Sequence, residues 1–311
     1  MRRTCLDMVH QLARDDQRIV FIGSDLGAGV LQEMKDEMPE RYFMEGVAEQ
    51  NIIGMAAGMA LCGIVPYVNT IATFITRRCF EQIAIDLCLQ DLPVRLIGNG
   101  GGLVYAPLGP THMAIEDIAI MRALPNMTVV VPTDADEMRR LMRASVAHPG
   151  PIYIRVAKGG DEVVSRDADG FEIGKSIRLR DGDDVALIGT GVMVARALGA
   201  AEILAESGVS AAVLNMHTVK PIDVTGIIDA CADKRLVVTV EEHVATGGLG
   251  SAVADVLISH GGTMPRLRRL AIPDAFPENY GSQDALLERY GLQPSQIAAA
   301  VLDDLALAAA E

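Results

Sequence analysis

Residues 45–60 read EGVAEQNIIGMAAGMA, a stretch of small and apolar residues whose helical body carries one carboxylate, Glu49. No charged residue occurs from Gln50 to Thr76. Apolar side chains fall on every side of the helix (Val47, Ile52, Ile53, Met55, Met59 and Leu61), a pattern that predicts a segment enclosed all round. A carboxylate entering such surroundings is costly unless something pairs with it. Taken alone, Glu49 reads first as a first-turn acid placed favourably for the helix dipole.

Working outward, the helix leads into a Val-rich run, VPYV at 65–68, and the same alternation continues in both directions. IVFIG at 19–23 follows an amphipathic helix from about Arg3 to Arg14, and VRLIG, MTVVVP and IYIRV follow at 94–98, 127–132 and 152–156. Short strands alternating with helices predict an α/β fold with a parallel sheet covered on both faces, whose sites lie in the loops after strand ends. Three such loops have unusual chemistry: Ser24-Asp25-Leu26-Gly27, the run from Asn99 to His112, and Lys158-Gly159-Gly160. From Gly159 the composition turns polar, charged and Gly-dotted. A second alternation (VALIGTG, SAAVLNM, RLVVTVEE, LRRLAI) then begins, closed by helices near 283–290 and 294–309. The reading is two domains, 1–160 and a smaller α/β unit at 184–311, joined at 161–183 by a linker crossing the surface, with room for a short hairpin.

Composition bounds the function. In 311 residues, half of them apolar, a net charge of −14 argues against nucleic-acid or anionic-membrane partners, which reward clustered Lys and Arg. The uncharged run at 50–76 is broken by Pro66 and diluted by Asn69 and Thr, so it is read as buried helix then strand, not a membrane span. The N-terminus lacks a signal-peptide pattern, and five cysteines without CxxC or metal-ligand spacing suggest reduced thiols. A cytoplasmic, soluble protein is expected.

The motifs each carry an alternative. Gly98-Asn-Gly-Gly-Gly lacks both the GxGxxG spacing and a following acid, and no GK[ST] occurs, so a tight turn is favoured over a nucleotide site. His112, held by Gly109-Pro110-Thr111 at a strand end, suits proton transfer, with packing or capping equally open. Asp25 could cap a helix and Phe74 could be core. Arg77, Arg78, Arg155 and Lys158 gather cations at strand ends and suit a phosphorylated substrate, against surface ion pairs as the bland alternative. His243, beside Glu241 and Glu242, could serve a structural network as readily as a catalytic one.

In order, the chain carries Asp25-Leu26, the Gly-x-x-Glu-Gln-Asn helix, TxxxF after Pro66-Tyr67, GPTH followed by Glu116, PNMTVVVPTD, VKPID, and EEHxxxGGLG. Together these motifs resemble the C-terminal part of transketolase. The resemblance covers the whole chain and implies a thiamine diphosphate pyrimidine-binding domain followed by a transketolase C-terminal domain. It implies that Glu49 hydrogen-bonds ring nitrogen N1′ of thiamine diphosphate and favours its imino form. Phe74 would stack on the aminopyrimidine, Asp25 would lie near its amino group and Leu26 near the thiazolium. His112 would serve the ketose oxygens with Glu116 in support. Lys158 stands where the family has an arginine for the substrate phosphate, with Arg2 and Arg77 or Arg78 as further candidates.

Two departures qualify the carry-over. No GDG-bearing domain for the diphosphate and Mg²⁺ is present, so the chain resembles the C-terminal subunit of a split transketolase. Metal ligands are then expected from an N-terminal partner subunit, none from this chain, in a heterotetramer acting on sugar phosphates. Leu108 stands where the family has an Asp before GPTH, and the preceding GGGLVYAPL lacks a family histidine. Alternatives are a 2-oxo acid dehydrogenase β-subunit, which lacks the GPTH loop, a 1-deoxyxylulose-5-phosphate synthase-like enzyme, and an assembly or regulatory module without chemistry.

Overall fold

The computed structural model describes residues 1–23, 29, 31–44, 46–261, 265–278 and 280–310, the side chains of 308–310 excepted. The first half runs α1 (Arg2–Asp15), β1 (Ile19–Gly23), α2 (Gln32–Glu37), β2 (Tyr42–Met44), α3 (Glu49–Leu61) and β3 (Val65–Ile71). It continues through α4 (Phe80–Gln82), β4 (Arg95–Asn99), α5 (Asp117–Ala123), β5 (Thr128–Val130), α6 (Ala135–Val146) and β6 (Ile152–Val156). The second half comprises β7 (Ile177–Arg180), β8 (Val185–Gly189), α7 (Met193–Glu206), β9 (Ala211–Asn215), β10 (Thr218–Lys220) and α8 (Val224–Cys231). It ends with β11 (Leu236–Val244), α9 (Leu249–His260), β12 (Arg266–Ile272), α10 (Gln283–Arg289) and α11 (Pro294–Ala310).

Two sheets result, ordered β10-β5-β6-β4-β3-β1-β2 and β12-β11-β8-β9-β7. Strands β1, β3, β4 and β6 are buried at every position, as parallel strands covered on both faces must be. Every pairing in both sheets is parallel except β10 on β5 and β7 on β9. The larger sheet therefore belongs to the first half except at one edge, where β10 reaches across and sets Thr218 opposite Val130. One apolar cluster is continuous from Leu6 of α1 through Val130 and Ile154 to Leu187, Val238 and Leu287, so the two sheets share packing. Among the described residues no helix is long and apolar enough to cross a membrane.

One expectation is sharpened and one is corrected. Residues 161–183 contain a strand but no local hairpin of it, because Ile177–Arg180 forms an edge strand on β9 with Ile177 opposite Asn215. Its short alternation of apolar and Arg residues was masked by the glycines and charges around it. The segment before it is pinned as well: Asp134, the N-cap of α6, accepts from the backbone amides of Val164 (2.9 Å) and Ser165 (2.8 Å) and from the Ser165 hydroxyl (2.8 Å). The correction concerns α3, which is enclosed on one face only. Glu49, Ile52, Ile53, Ala56, Ala57 and Ala60 are buried, whereas Gln50, Asn51, Gly54, Gly58 and Leu61 are exposed. A uniformly small and apolar composition hides the helical period, since glycines on the outer face read as core.

Candidate active site at the strand ends

Beyond β3 the chain turns directly into a π-helical segment, Phe74–Arg78. Such segments are rare and concentrate at functional sites, because the extra residue per turn re-aims neighbouring side chains. Here it sends Arg77 and Arg78 to different acids. The Arg78 Nη1 donates to Glu49 Oε2 at 2.6 Å, and its guanidinium carbon lies 4.6 Å from the Phe74 ring centre. Glu49 is 2 % exposed in the first turn of α3, so the buried carboxylate anticipated from sequence has a specific cationic partner. On another side of Phe74 the His112 ring meets it edge-on, with centroids 5.2 Å apart. Glu49, Phe74 and His112 are therefore brought together by α3, the end of β3 and the loop after β4.

That loop is anchored from the second domain. Glu242, on β11, accepts from the Leu103 amide at 3.0 Å and from the Gln283 side chain at 2.7 Å. Gly102 has φ +66°, and a Cβ there would stand 2.3 Å from the Glu242 carboxyl carbon, so both backbone and space require glycine. At the other end of the loop Gly109 (φ +79°) lies against the ring of Tyr280, where a Cβ would meet a ring carbon at 2.6 Å. Tyr280 and Glu242 both touch the His112 loop, and sequence does not place either there: Tyr280 belongs to no motif, and Glu242 lies in EEHxxxGGLG, far along the chain from the loop.

The rest of EEHxxxGGLG is structural. Glu241 accepts from the amides of Leu249 (2.7 Å) and Gly250 (2.8 Å), capping α9, and burial pushes its carboxyl up to about 7. His243 accepts at Nε2 from the Ala119 amide in α5 and sits 2.7 Å from the Val244 carbonyl through Nδ1, which fixes a neutral tautomer. Burial lowers its pKa to about 4, in keeping with that role. His217 is also buried, stacked on Phe171 with centroids 4.2 Å apart, and burial lowers it to about 3.

The cationic cluster divides. Arg155 is corrected: it is 5 % exposed and committed to Asp117 at 2.8 Å and to the carbonyls of Ala114 and Glu242, both at 2.9 Å, so it is a buried strut and not a phosphate ligand. Arg77 pairs with Glu116 at 2.8 Å and reaches the Met113 carbonyl at 3.2 Å, bracing the His112 loop. Burial raises the Glu116 carboxyl despite that neighbour. Lys158 is exposed just after β6, and Arg2 opens α1, whose Met1 amino group lies 3.8 Å from Asp161 in the same loop. These two share one end of the larger sheet. Leu108 is half exposed. Asp25 and Leu26 lie outside the described residues. No group of three or more His, Cys, Asp or Glu side chains that could hold a metal occurs among the described residues.

Glu49 and Phe74 thus flank one planar, hydrogen-bonding group, the Arg78 guanidinium, on an edge and a face. The fold is a larger, mostly parallel α/β domain with a candidate site at its strand ends, joined to a second α/β domain. Comparisons give the family. Residues 1–160 match the transketolase pyrimidine-binding domain and residues 174–297 the transketolase C-terminal domain. The chain is 39 % identical over 299 residues to the 6-deoxy-6-sulfo-D-fructose transketolase subunit SqwH of Clostridium sp. (strain MSTE9), covering 96 % of this chain and 92 % of that one. It is 40 % identical over 297 residues to 1-deoxy-D-xylulose-5-phosphate synthase 1 of Geobacter sulfurreducens, matching 94 % of this chain but only 46 % of that longer protein. A solved split-gene transketolase, described as an inactive β4 tetramer, superposes with a TM-score of 0.90 at 37 % identity over 98 % of both chains. The chain belongs to the transketolase family, and membership implies dependence on thiamine diphosphate.

Proposed function

We propose that this chain is the C-terminal subunit of a split transketolase that moves a two-carbon ketol unit from a ketose phosphate to an aldose phosphate. The observation that carries the reading is the convergence of buried Glu49, Phe74 and His112 at adjoining strand ends. When bound, thiamine diphosphate supplies the nucleophilic carbon and the electron sink. Glu49 would hold the proton shared with ring nitrogen N1′, and Phe74 would support the ring face. Asp25 and Leu26 would line the amino and thiazolium sides. His112 would hold or move protons at the ketose oxygens, kept in place by Arg77, Glu116 and the Glu242 anchor. Lys158 and Arg2 would attract the substrate phosphate, and Leu108 leaves the acceptor side of the loop apolar.

The diphosphate and Mg²⁺ would be held by an N-terminal partner subunit in a cytoplasmic heterotetramer. The exposed face of α3 supports a docked partner: Gly54 and Gly58 lie on it, with Leu61 65 % exposed at one end and Val47 68 % exposed before the other. The test is reconstitution. The chain alone is expected to bind thiamine diphosphate weakly and show no turnover, and the pair to be active. Full activity of the isolated chain would sink the split-subunit reading.

A second reading, a 1-deoxyxylulose-5-phosphate synthase-like enzyme, is favoured by the 40 % identity to the Geobacter protein. A donor screen with the reconstituted pair separates the two, since that reading needs pyruvate as donor and the first needs a ketose phosphate.

A further inference from the structure

Arg78 makes the same two contacts that the proposed function assigns to the aminopyrimidine ring. Its guanidinium is planar, donates to Glu49 Oε2 at 2.6 Å and lies 4.6 Å over the Phe74 ring. Few side chains could imitate the ring in this way. Lysine has no plane, and asparagine or glutamine brings no charge to a buried carboxylate. The two partners differ in freedom. Glu49 is 2 % exposed and fixed in α3, whereas the Arg78 side chain is 44 % exposed and can swing into water. Its backbone stays attached during that motion, because Gln50 Nε2 donates to the Arg78 carbonyl at 3.1 Å.

We propose that Arg78 is a resident stand-in for the aminopyrimidine, occupying the ring position between Glu49 and Phe74 until cofactor displaces it. The inference rests on the proposed reading of the site. Its physical logic is an exchange of partners: the buried carboxylate is never left without a hydrogen-bond donor, and the aromatic face is never left bare. The cost is a lowered apparent affinity, since cofactor binds only the fraction of molecules in which Arg78 has swung out. Displacement then couples cofactor entry to a charge movement at the mouth of the site.

The test uses the full chain and thiamine, which carries the ring without the diphosphate, with binding read by ligand-observed NMR and folding by the thermal midpoint. Arg78→Ala is expected to tighten thiamine binding about tenfold, and Phe74→Ala to weaken it in either background. Arg78→Lys keeps a cation beside Glu49 but has no plane to lay on the ring, so it is expected to bind thiamine with intermediate affinity. It is the deciding variant if Arg78→Ala lowers the midpoint. If removing Arg78 leaves thiamine binding unchanged or weaker while Phe74→Ala still weakens it, the stand-in proposal is overturned and the ring site survives. If neither wild type nor Arg78→Ala binds thiamine, removing the occupant has opened no ring position and the stand-in proposal is overturned; if thiamine binds equally well to Phe74→Ala, the ring site itself is wrong and the proposal falls with it.

Discussion

The Glu242 carboxylate accepts a hydrogen bond from the Leu103 amide at 3.0 Å across the boundary between the two domains. Leu103 opens the loop that ends at His112, and Glu242 is also gripped by Gln283 of α10. The second domain therefore sets the shape of a loop that the first domain presents at its strand ends.

Gly102→Ala tests that arrangement. The residue sits at φ +66°, and the added methyl would collide with the Glu242 carboxyl group. We expect a stability loss of about 1–3 kcal/mol, since strain and a clash act together. A thermal midpoint matching wild type would show that the loop does not depend on this contact.

Glu49→Gln keeps size and a hydrogen-bonding oxygen but cannot exchange a proton with the ring nitrogen. In the reconstituted complex, kcat should fall by about a hundredfold or more, with assembly unchanged by light scattering. A near-normal rate would remove Glu49 from the mechanism.

Arg155 and Lys158 should separate cleanly. Arg155→Met leaves Asp117 buried without its cation and should cost about 3–5 kcal/mol in unfolding measurements. Lys158→Ala should leave the midpoint in place and raise KM for a phosphorylated substrate about tenfold, the loss of one charge-assisted contact. An unchanged KM would eliminate Lys158 as a phosphate ligand.

The buried histidines give a pH signature. His217 is held well below the ordinary imidazole value of 6.5, at about 3, because burial disfavours its cation. The unfolded chain takes up that proton first. Stability is therefore fully present above pH 6.5 and is lost progressively as pH falls toward the folded value. At a pH one unit below 6.5 the loss attributable to His217 is about 1.4 kcal/mol. His217→Phe, which preserves the stack on Phe171, should erase that share, so denaturation curves of variant and wild type should converge on acidification. Parallel curves would mean that His217 takes up its proton equally readily in the folded and unfolded chain.

Sequence alone determined the alternation of strands and helices, the division into two α/β units, and a buried acid at the head of α3. These are properties of local order: periodicity, composition and motif spacing survive without coordinates. Tertiary structure decided the rest, because each undecided feature depended on what lies opposite. Arg78 and Arg155 are both arginines near strand ends, yet one faces Glu49 at the site mouth and the other is sealed against Asp117. Strand β7 was hidden because its partner Asn215 lies far along the chain, and β10 because it joins a sheet built by the other domain. The same reason places Glu242 at the His112 loop: 139 residues separate it from Leu103, and only folding closes that distance.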